Sequence, residues 1–447
     1  MKKNSLVILV LSILSTGIFG QGLTLKQCVD YANSNNGNIK NANTDVRISD
    51  KKIDEQIGSM LPQIDASGNY TNNLQLSTTL LPGELINKPG TEIPVTFGTK
   101  HNINAGIQLN QKIFDPTFGI ALKAVKIVKL QAEQNLRKSS EQTAYSVSGT
   151  YYQTLVIGKQ INTLHATLEA SEKLLVSTDL KFKNGMAKKV DVDKIRVSYN
   201  NIKSQTQQSE LSYQQSLNTL KYQMGMPVDK VLTLSNDAID TDFSVFETPA
   251  DSFNIDNRVD YQLKKIDLNG YELDKKKNQS SYFPTLSLVA NYGVNAMRNQ
   301  FDFTQPGGIW FPSSSIGLNL KIPIFDGLQK HARISQSKLN IEKSKVNIQL
   351  TVQSIKVDLS NYEIQYRNAI DNIHNEKDNL DLAESVYKNV QNQFQQGASS
   401  SLDLIQAESA YTESQNNYYN KLLTLYIARI NLEQTKGTLL NYINKQK

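Results

Sequence analysis

Residues 161–191 read INTLHATLEASEKLLVSTDLKFKNGMAKKVD, and residues 373–403 read IHNEKDNLDLAESVYKNVQNQFQQGASSSLD. Few letters agree, but the pattern does. In the first stretch Ile161, Leu168, Leu175 and Phe182 fall at heptad spacing, Gly185 follows, and Asp191 lies between Val190 and Val192. In the second, 212 residues later, come Ile373, Leu380, Tyr387 and Phe394, then Gly397, then Asp403 between Leu402 and Leu404. Heptads alone are common. Heptads, a glycine and a flanked acid recurring at one offset mark an internal duplication. Each copy is expected to be a long helix that breaks at its glycine and returns as a second helix.

Working outward, helical pattern runs from Pro116 to Phe182 and returns from Val190 to Met224, then again from Leu328 to Phe394 with a return from Leu402 to Leu440. The long helices span about 100 Å and the returns about half of that. Two shorter helical segments supply the missing halves. Leu23–Met60 is weak at Asn33–Gly37 and closed by Pro62, and Ile255–Tyr282 is closed by Pro284. Between the halves, Met226-Pro227 to Pro249 loses all helical period. This linker and the chain's end are expected to form a belt where the return helices stop. The expected organisation is a leader over 1–20, a first repeat over 21–226, an equatorial linker over 227–254, a second repeat over 255–440 and a tail over 441–447.

Four segments change period from helical to two. Ile64, Ala66, Gly68, Tyr70, Leu74 and Leu76 alternate with Asp, Ser, Asn, Thr and Gln. The same holds for Ile103–Ile113, for Leu286–Ala296 and for Ile316–Ile324. A half-buried strand in a soluble sandwich also alternates. Three features argue against that: a secretory leader, lengths near the 9–11 residues that a tilted strand needs to cross a bilayer, and an almost purely Asn/Ser/Thr/Gln second face. Aromatics near the ends (Phe114, Trp310, Phe311, Phe325) suit a membrane interface. The connections Leu80–Lys100 and Asn299–Ser314 are rich in Gly and Pro and are expected to be external loops. Four strands cannot close a barrel, and an open edge in lipid leaves backbone groups unpaired. Two copies would give eight strands and a lumen filled by side chains, so the polar face argues for three copies and twelve strands.

Composition sets the remaining bounds. The 447 residues are 39% apolar and 20% charged, with a formal charge of +6, and the mean hydropathy is -0.43. Lys2 and Lys3 followed by Leu6–Leu14 and Gly20 read as a signal peptide cleaved after Gly20. No later apolar run reaches the length of a transmembrane helix. The single cysteine, Cys28, gives no disulfide framework and is expected on a helix face. The lysines are interleaved with acids, so no nucleic-acid footprint stands out. The four histidines are scattered, no cluster has metal-ligand spacing, and no Gly-rich phosphate loop is present. The sequence therefore predicts neither an enzyme nor a cofactor or metal. The competing readings are a solute conduit and a structural or adhesive coiled-coil protein of the envelope. The paired lipid-length strands favour the conduit.

Leu23-Thr24-Leu25 with Cys28-Val29, Leu61-Pro62 with Asn69-Tyr70, Phe283-Pro284 with Asn291-Tyr292, and the paired Phe-x-x-Gly turns resemble the TolC-type outer-membrane efflux family over essentially the whole mature chain. The resemblance implies a trimeric twelve-stranded barrel continued by an α-helical tunnel into the periplasm. It also implies a passive exit duct opened at its tip by a membrane-fusion (adaptor) protein and powered by an inner-membrane transporter. Phe182, Gly185, Lys188 and Lys189 at one turn, with Phe394 and Gly397 at the other, match the adaptor-docking tips. Asp191 and Asp403 match the periplasmic gate, where three copies would place six carboxylates around the mouth. An acid there also favours the helix N-terminus. Phe394, Ser399 and Gln406 stand where members carry the tyrosine, arginine and further acid that lock the closed state. Lys188 or Lys189 reaching Asp403 of a neighbour is the expected substitute.

Overall fold

The computed structural model describes residues 22–82, 89–235 and 253–445. The signal-peptide reading and most of the linker, 236–252, lie outside them. In chain order the elements are α1 (Leu25–Asn35), α2 (Gly37–Gly58), β1 (Gln63–Asn72), β2 (Ser77–Pro82), β3 (Glu92–Phe97), β4 (His101–Phe114), α3 (Phe118–Lys183) and α4 (Lys189–Met224). After a short 3-10 turn at Ile255–Asn257 come α5 (Val259–Ser280), β5 (Thr285–Arg298), β6 (Phe311–Lys321), α6 (Gln329–Gln395), α7 (Ser401–Lys436) and α8 (Leu439–Lys445). Two compact units share these elements. One comprises Met1–Val46, Gln131–Lys265 and Val346–Lys447, the other Arg47–Leu130 and Ile266–Lys345. Each unit takes part of both sequence repeats, so the duplication and the packing divide the chain differently.

The second unit holds an antiparallel sheet ordered β1-β4-β5-β6. Its four strands have 10, 14, 14 and 11 residues. The register aligns the two faces seen in the sequence. Ile64, Leu109, Ala290 and Ile316 form one cross-strand row, and Asp65, Gln108, Asn291 and Ser315 form the next. Asn69, Asn104 and Asn295 form a further polar row. Every residue of β1 and β6 is exposed, including Ile64 at 65% and Ile316 at 76%. The edge strands β1 and β6 pair with no further strand among the described residues. A bulge lies between Lys112 and Phe114.

The sequence misplaced two pieces here. The supposed loop Leu80–Lys100 contains most of a hairpin, β2 paired with β3 from Ser77↔Phe97 to Pro82↔Glu92. Thr78, Thr79, Leu80 and Leu81 face Thr96, Val95, Pro94 and Ile93, and the threonines, Val95 and Ile93 are strand formers that outweigh the Gly and Pro count. Leu74 and Leu76, assigned to the first strand, lie beyond its end at Asn72, and Leu74 is 86% exposed. The connection after β5 is folded against the strand end. Arg298 pairs with Asp302 at 3.0 Å and lies over Phe303. Phe301 meets the rings of Tyr70 and His101 edge-on, and Tyr70 Oη is 2.9 Å from His101 Nδ1.

The first unit is helical, with a core of aromatic and aliphatic side chains. Tyr152 stacks on Tyr426 at 4.2 Å, and Tyr151, Leu220, Met224, Ile373 and Leu425 are fully buried around them. Cys28 is buried there too, and burial pushes its thiol up to about 12, leaving it protonated and inert. The tail is not one. Leu439 and Ile443 of α8 enter the core, and Arg429 lies between the rings of Tyr366 and Tyr442 while pairing with Glu433 at 2.7 Å. The expected end of the second repeat at Leu440 therefore falls inside a packed helix. Of the linker, the described start lies beside Leu23, which bonds Thr233 and Ser235 through the backbone at 2.8 and 3.0 Å.

Four glycines organise the turns. Gly185, Gly225, Gly397 and Gly437 all have φ between 70° and 76°. Each closes its helix with the same pair of bonds, for example Gly185 N→Phe182 O and Met186 N→Lys181 O, repeated at Gly397 N→Phe394 O and Ala398 N→Gln393 O. This is a Schellman termination, which needs a left-handed residue. At Gly225 space is short as well. An added Cβ would come 2.5 Å from Asn35 O, where Asn36 breaks α1 from α2, caps Asn38 N at 2.8 Å and donates to Gln223 O at 2.6 Å. At Gly185 an added Cβ meets nothing within 4 Å. Gly185→Ala is expected to cost only the left-handed penalty, about 1–2 kcal/mol, and Gly225→Ala clearly more. Thermal melts followed by helical circular dichroism check the order, and equal losses would contradict it.

Candidate functional site

The two Phe-x-x-Gly turns lie together at one end of the first unit, joined by two contacts. Ser401 Oγ donates to Asp191 Oδ1 at 2.6 Å, and Lys181 Nζ donates to Gln395 O at 2.7 Å. The second is a cation on the last carbonyls of a neighbouring helix, favourable both as a hydrogen bond and towards the helix dipole. The return helices α4 and α7 then run parallel. Past the tips their contacts continue with Ser198 against Glu408 and Gln205 Nε2 donating to Asn416 Oδ1 at 3.4 Å.

The two acids matched by the duplication are not equivalent. Asp403 belongs to a capping box: Ser400 Oγ accepts from Asp403 N at 3.2 Å, and the carboxylate accepts from Ser400 N at 3.1 Å. The Ser400 hydroxyl and backbone bonds hold the Asp403 carboxyl below its usual range, so it stays ionised. At the first tip the cap residue is Lys188, whose side chain makes no cap bond, and Asp191 reaches across to α7 instead. The run Ser399-Ser400-Ser401 before Asp403 was the available signal, since a serine three residues before an acid forms a capping box and a lysine cannot. Phe394 packs against the cluster of Leu174, Tyr387 and Leu404, whereas Phe182 is 39% exposed. Lys188, Lys189 and Gly185 are exposed, as is Gly397. Within one chain, Asp403 is bonded to Ser399 and Ser400 rather than to either lysine.

One residue that the sequence did not single out sits behind these tips. Glu408 is 4% exposed, bonded to Ser198 through Oε2, while Oε1 has no hydrogen-bond partner among the described residues. Burial raises its carboxyl, against the opposing interactions with the Ser198 and Tyr387 hydroxyls. Tyr387, stacked on Tyr411 at 5.5 Å, is itself pushed up by burial and then by the facing Glu408 charge. Glu408 also borders a groove of about 740 Å³ between α4 and α7, with Val190, Val197, Ile202, Leu402 and Ile405 as its apolar lining. Such a groove accepts the apolar face of an amphipathic helix.

The arrangement of sheet and turns can now be set beside known proteins. The model of the family described as outer membrane efflux protein matches residues 29–226 and 265–438. The chain belongs to this family. It is 19% identical to the outer membrane protein TolC of Escherichia coli (strain K12), over 98% of this chain and 87% of that protein. Among solved structures it resembles outer membrane protein VceC of Vibrio cholerae, with a TM-score of 0.69 at 13% identity, covering 92% of this chain and 96% of that one. The outer-membrane channel OprN gives 0.70 at 14% identity, covering 93% and 90%. The protein is thus an outer-membrane efflux channel, of a channel family rather than an enzyme family, with a helical tunnel region and a β domain.

Glu408→Gln removes the ionisable proton at nearly constant shape. A carboxyl raised on folding opposes the folded state above its raised value, and the penalty vanishes below the ordinary carboxylate range. The variant is therefore expected to melt higher than the parent at pH 8, by on the order of 1 kcal/mol of stability. The gap should close as pH falls towards the ordinary carboxylate range. Melting curves in detergent across that range check it, and a gap that widens on acidification would contradict the assignment.

Proposed function

We propose that three copies of this chain close as a twelve-stranded barrel and form the passive exit duct of a tripartite efflux system. The sheet carries this reading. Its rows run apolar on one face and Asn/Ser/Gln on the other, and both edge strands are unpaired. In hydrocarbon each unpaired backbone group costs several kcal/mol, so a four-stranded sheet cannot stay open there. Successive strands of the sheet alternate in direction, because every pair is antiparallel. With an even number per chain, β6 of one copy meets β1 of the next antiparallel as well, and the pattern closes without a fault.

In this reading the Phe-x-x-Gly tips and the groove between α4 and α7 receive a periplasmic adaptor, and Asp191 and Asp403 line the mouth. The in-chain contacts Ser401–Asp191 and Lys181–Gln395 hold the tips together until the adaptor's helices displace them. Work on the solute is done by an inner-membrane transporter, the duct supplying only the path. A structural or adhesive role leaves the polar rows of the sheet without a use.

Reconstitution in planar bilayers tests both levels. The protein is expected to conduct, weakly until Ser401→Ala and Lys181→Ala loosen the tips, and to prefer cations. Asp191→Asn with Asp403→Asn should reduce the cation preference several-fold while leaving conductance intact, as expected for a carboxylate ring. Unchanged selectivity would remove the gate role from these acids. Silence of the loosened variant would overturn the duct itself.

A further inference from the structure

The connection between β5 and β6, residues 299–310, folds back onto one face of the sheet, and the strand register identifies that face. Tyr70 on β1 stands opposite Ile103 on β4, and His101 on β4 stands opposite Arg298 on β5. His101 is two residues from Ile103, so Tyr70, His101 and Arg298 share the face of the apolar row through Ile64, Leu109 and Ala290. The ring of Phe301 meets Tyr70 edge-on at 5.7 Å and His101 at 5.8 Å, and Phe303 meets Tyr70 at 6.5 Å. The last pair of β5 with β6 is Asn295↔Phe311, which puts Phe311 on the polar face. One step further, Trp310 falls beside Ala296 on the apolar face, with its ring 6.5 Å from Phe303.

The seating is specific. Arg298 Nη1 donates to the Asp302 carbonyl at 3.2 Å and to its carboxylate at 3.0 Å. The guanidinium lies over the Phe303 ring at 5.3 Å, and Gly308 comes so close to it that no side chain fits there. Ala296 beneath the connection is fully buried, whereas Tyr292 on the same face is 57% exposed. The opposite face at this level stays open. There Asn102 stands between Thr71 and Met297, both of which are exposed.

Outwards the connection presents Phe301, Ile309 and Trp310, at 66%, 68% and 40% exposure, next to Tyr70. A contiguous apolar patch of this kind marks a contact surface. Its chemistry favours one partner. Tryptophan and tyrosine rings over an arginine suit the boundary between lipid headgroups and acyl chains, where one end of a ring is dry and the other wet. The patch continues the row through Tyr292 and Ile316, the face that meets hydrocarbon in the duct proposed above, on which the inference rests. It also lies at the end of the strands from which no helix departs, since α2, α3, α5 and α6 all join the other end.

We infer that residues 299–310 form a membrane-seated flap. It rests on the lipid side of the barrel's outer rim, sinks Phe301, Ile309 and Trp310 into the headgroup boundary, and leaves the polar lumen uncovered. The longer of the two described connections at that rim is thereby held out of the path of the solute, and the rim gains an anchor that fixes its height in the bilayer.

Trp310 is the one tryptophan of the chain, so its emission reports this connection alone. The full-length protein is reconstituted in phosphatidylcholine vesicles carrying bromines at known depths along an acyl chain. Trp310 emission is expected to be blue-shifted, shielded from aqueous iodide, and quenched more by bromines near the headgroup than by bromines near the chain end. Trp310→Phe with Ile316→Trp moves the probe six residues along the same face, about 20 Å of strand, and the deep bromines should then quench more. Arg298→Ala frees the connection from Asp302 and Phe303, and should shift Trp310 emission to the red while single-channel conductance stays the same. Failure of any bromine to quench the Ile316→Trp probe would overturn the barrel, and the flap with it. Quenching of that probe while Trp310 answers only to iodide would leave the barrel standing and overturn the flap. A conductance that rises in Arg298→Ala would overturn it too, because the connection would then lie across the mouth.

Discussion

A strand in hydrocarbon has no water to bond, so each of its backbone groups must find another strand. In this chain that demand falls on β1 and β6, the edges of the sheet. Everything else about the sheet follows from it. The strands are long because they must cross, and they are even in number because closure must stay antiparallel. Their faces are sorted because one meets lipid and the other a lumen. Within a single chain the edge is bare: β6 has no residue even half-buried along its length. The chain is one sector of a larger object, and its exposed apolar residues are contacts still to be made rather than a failure to fold.

The helical unit meets the same incompleteness with different means. Its long helices are fixed by a core of stacked tyrosines and by Arg429 lodged between Tyr366 and Tyr442. Their ends are fixed by one backbone device used four times. At Gly185 and Gly397 the left-handed residue stands in open space, and at Gly225 and Gly437 it stands against Asn35 and Asn257. The same turn thus serves two purposes. In one pair it frees a tip, and in the other it lets a neighbouring helix break approach within contact. Glycine is required at the first pair for its φ alone, and at the second for φ and space together.

Much of this was legible in the sequence because it is written in periods. The heptads from Ile161 and Ile373 gave the helix ends at both tips within a residue, and the alternation around Ile64, Ile103, Leu286 and Ile316 gave the four long strands. Period also misled. Leu74 and Leu76 continue the alternation past the real end of β1, and the prolines near Leu80 concealed the β2–β3 hairpin, because local composition does not say where pairing stops. The end of the chain looked like a tail, since seven residues are too few to show a period, although Leu439 and Ile443 are core. The candidate site was legible as places and not as contacts. Asp191 and Asp403 occupy matching positions, but what each bonds depends on Ser401 and Ser400. Glu408 was invisible, because a single acid on a heptad face declares nothing until the face is known to be buried.

Duplication explains both the likeness of the tips and the way they differ. Two copies of one hairpin, fused in a chain, share a single covalently fixed neighbourhood. The α4–α7 joint inside the chain can therefore evolve apart from the faces left exposed. Inside, the joint pairs hydroxyls with carboxyls, Ser198 on a buried Glu408 and Ser401 on Asp191. The exposed faces keep charge, with Lys189, Arg196 and Lys203 on one helix and Asp403 on the other. The in-chain joint is buried, where breaking it exposes an ionisable group. Exposed charges form only solvated ion pairs, worth little singly and screened by salt. In the duct proposed above, contacts of that strength are the ones an incoming helix exchanges at small cost.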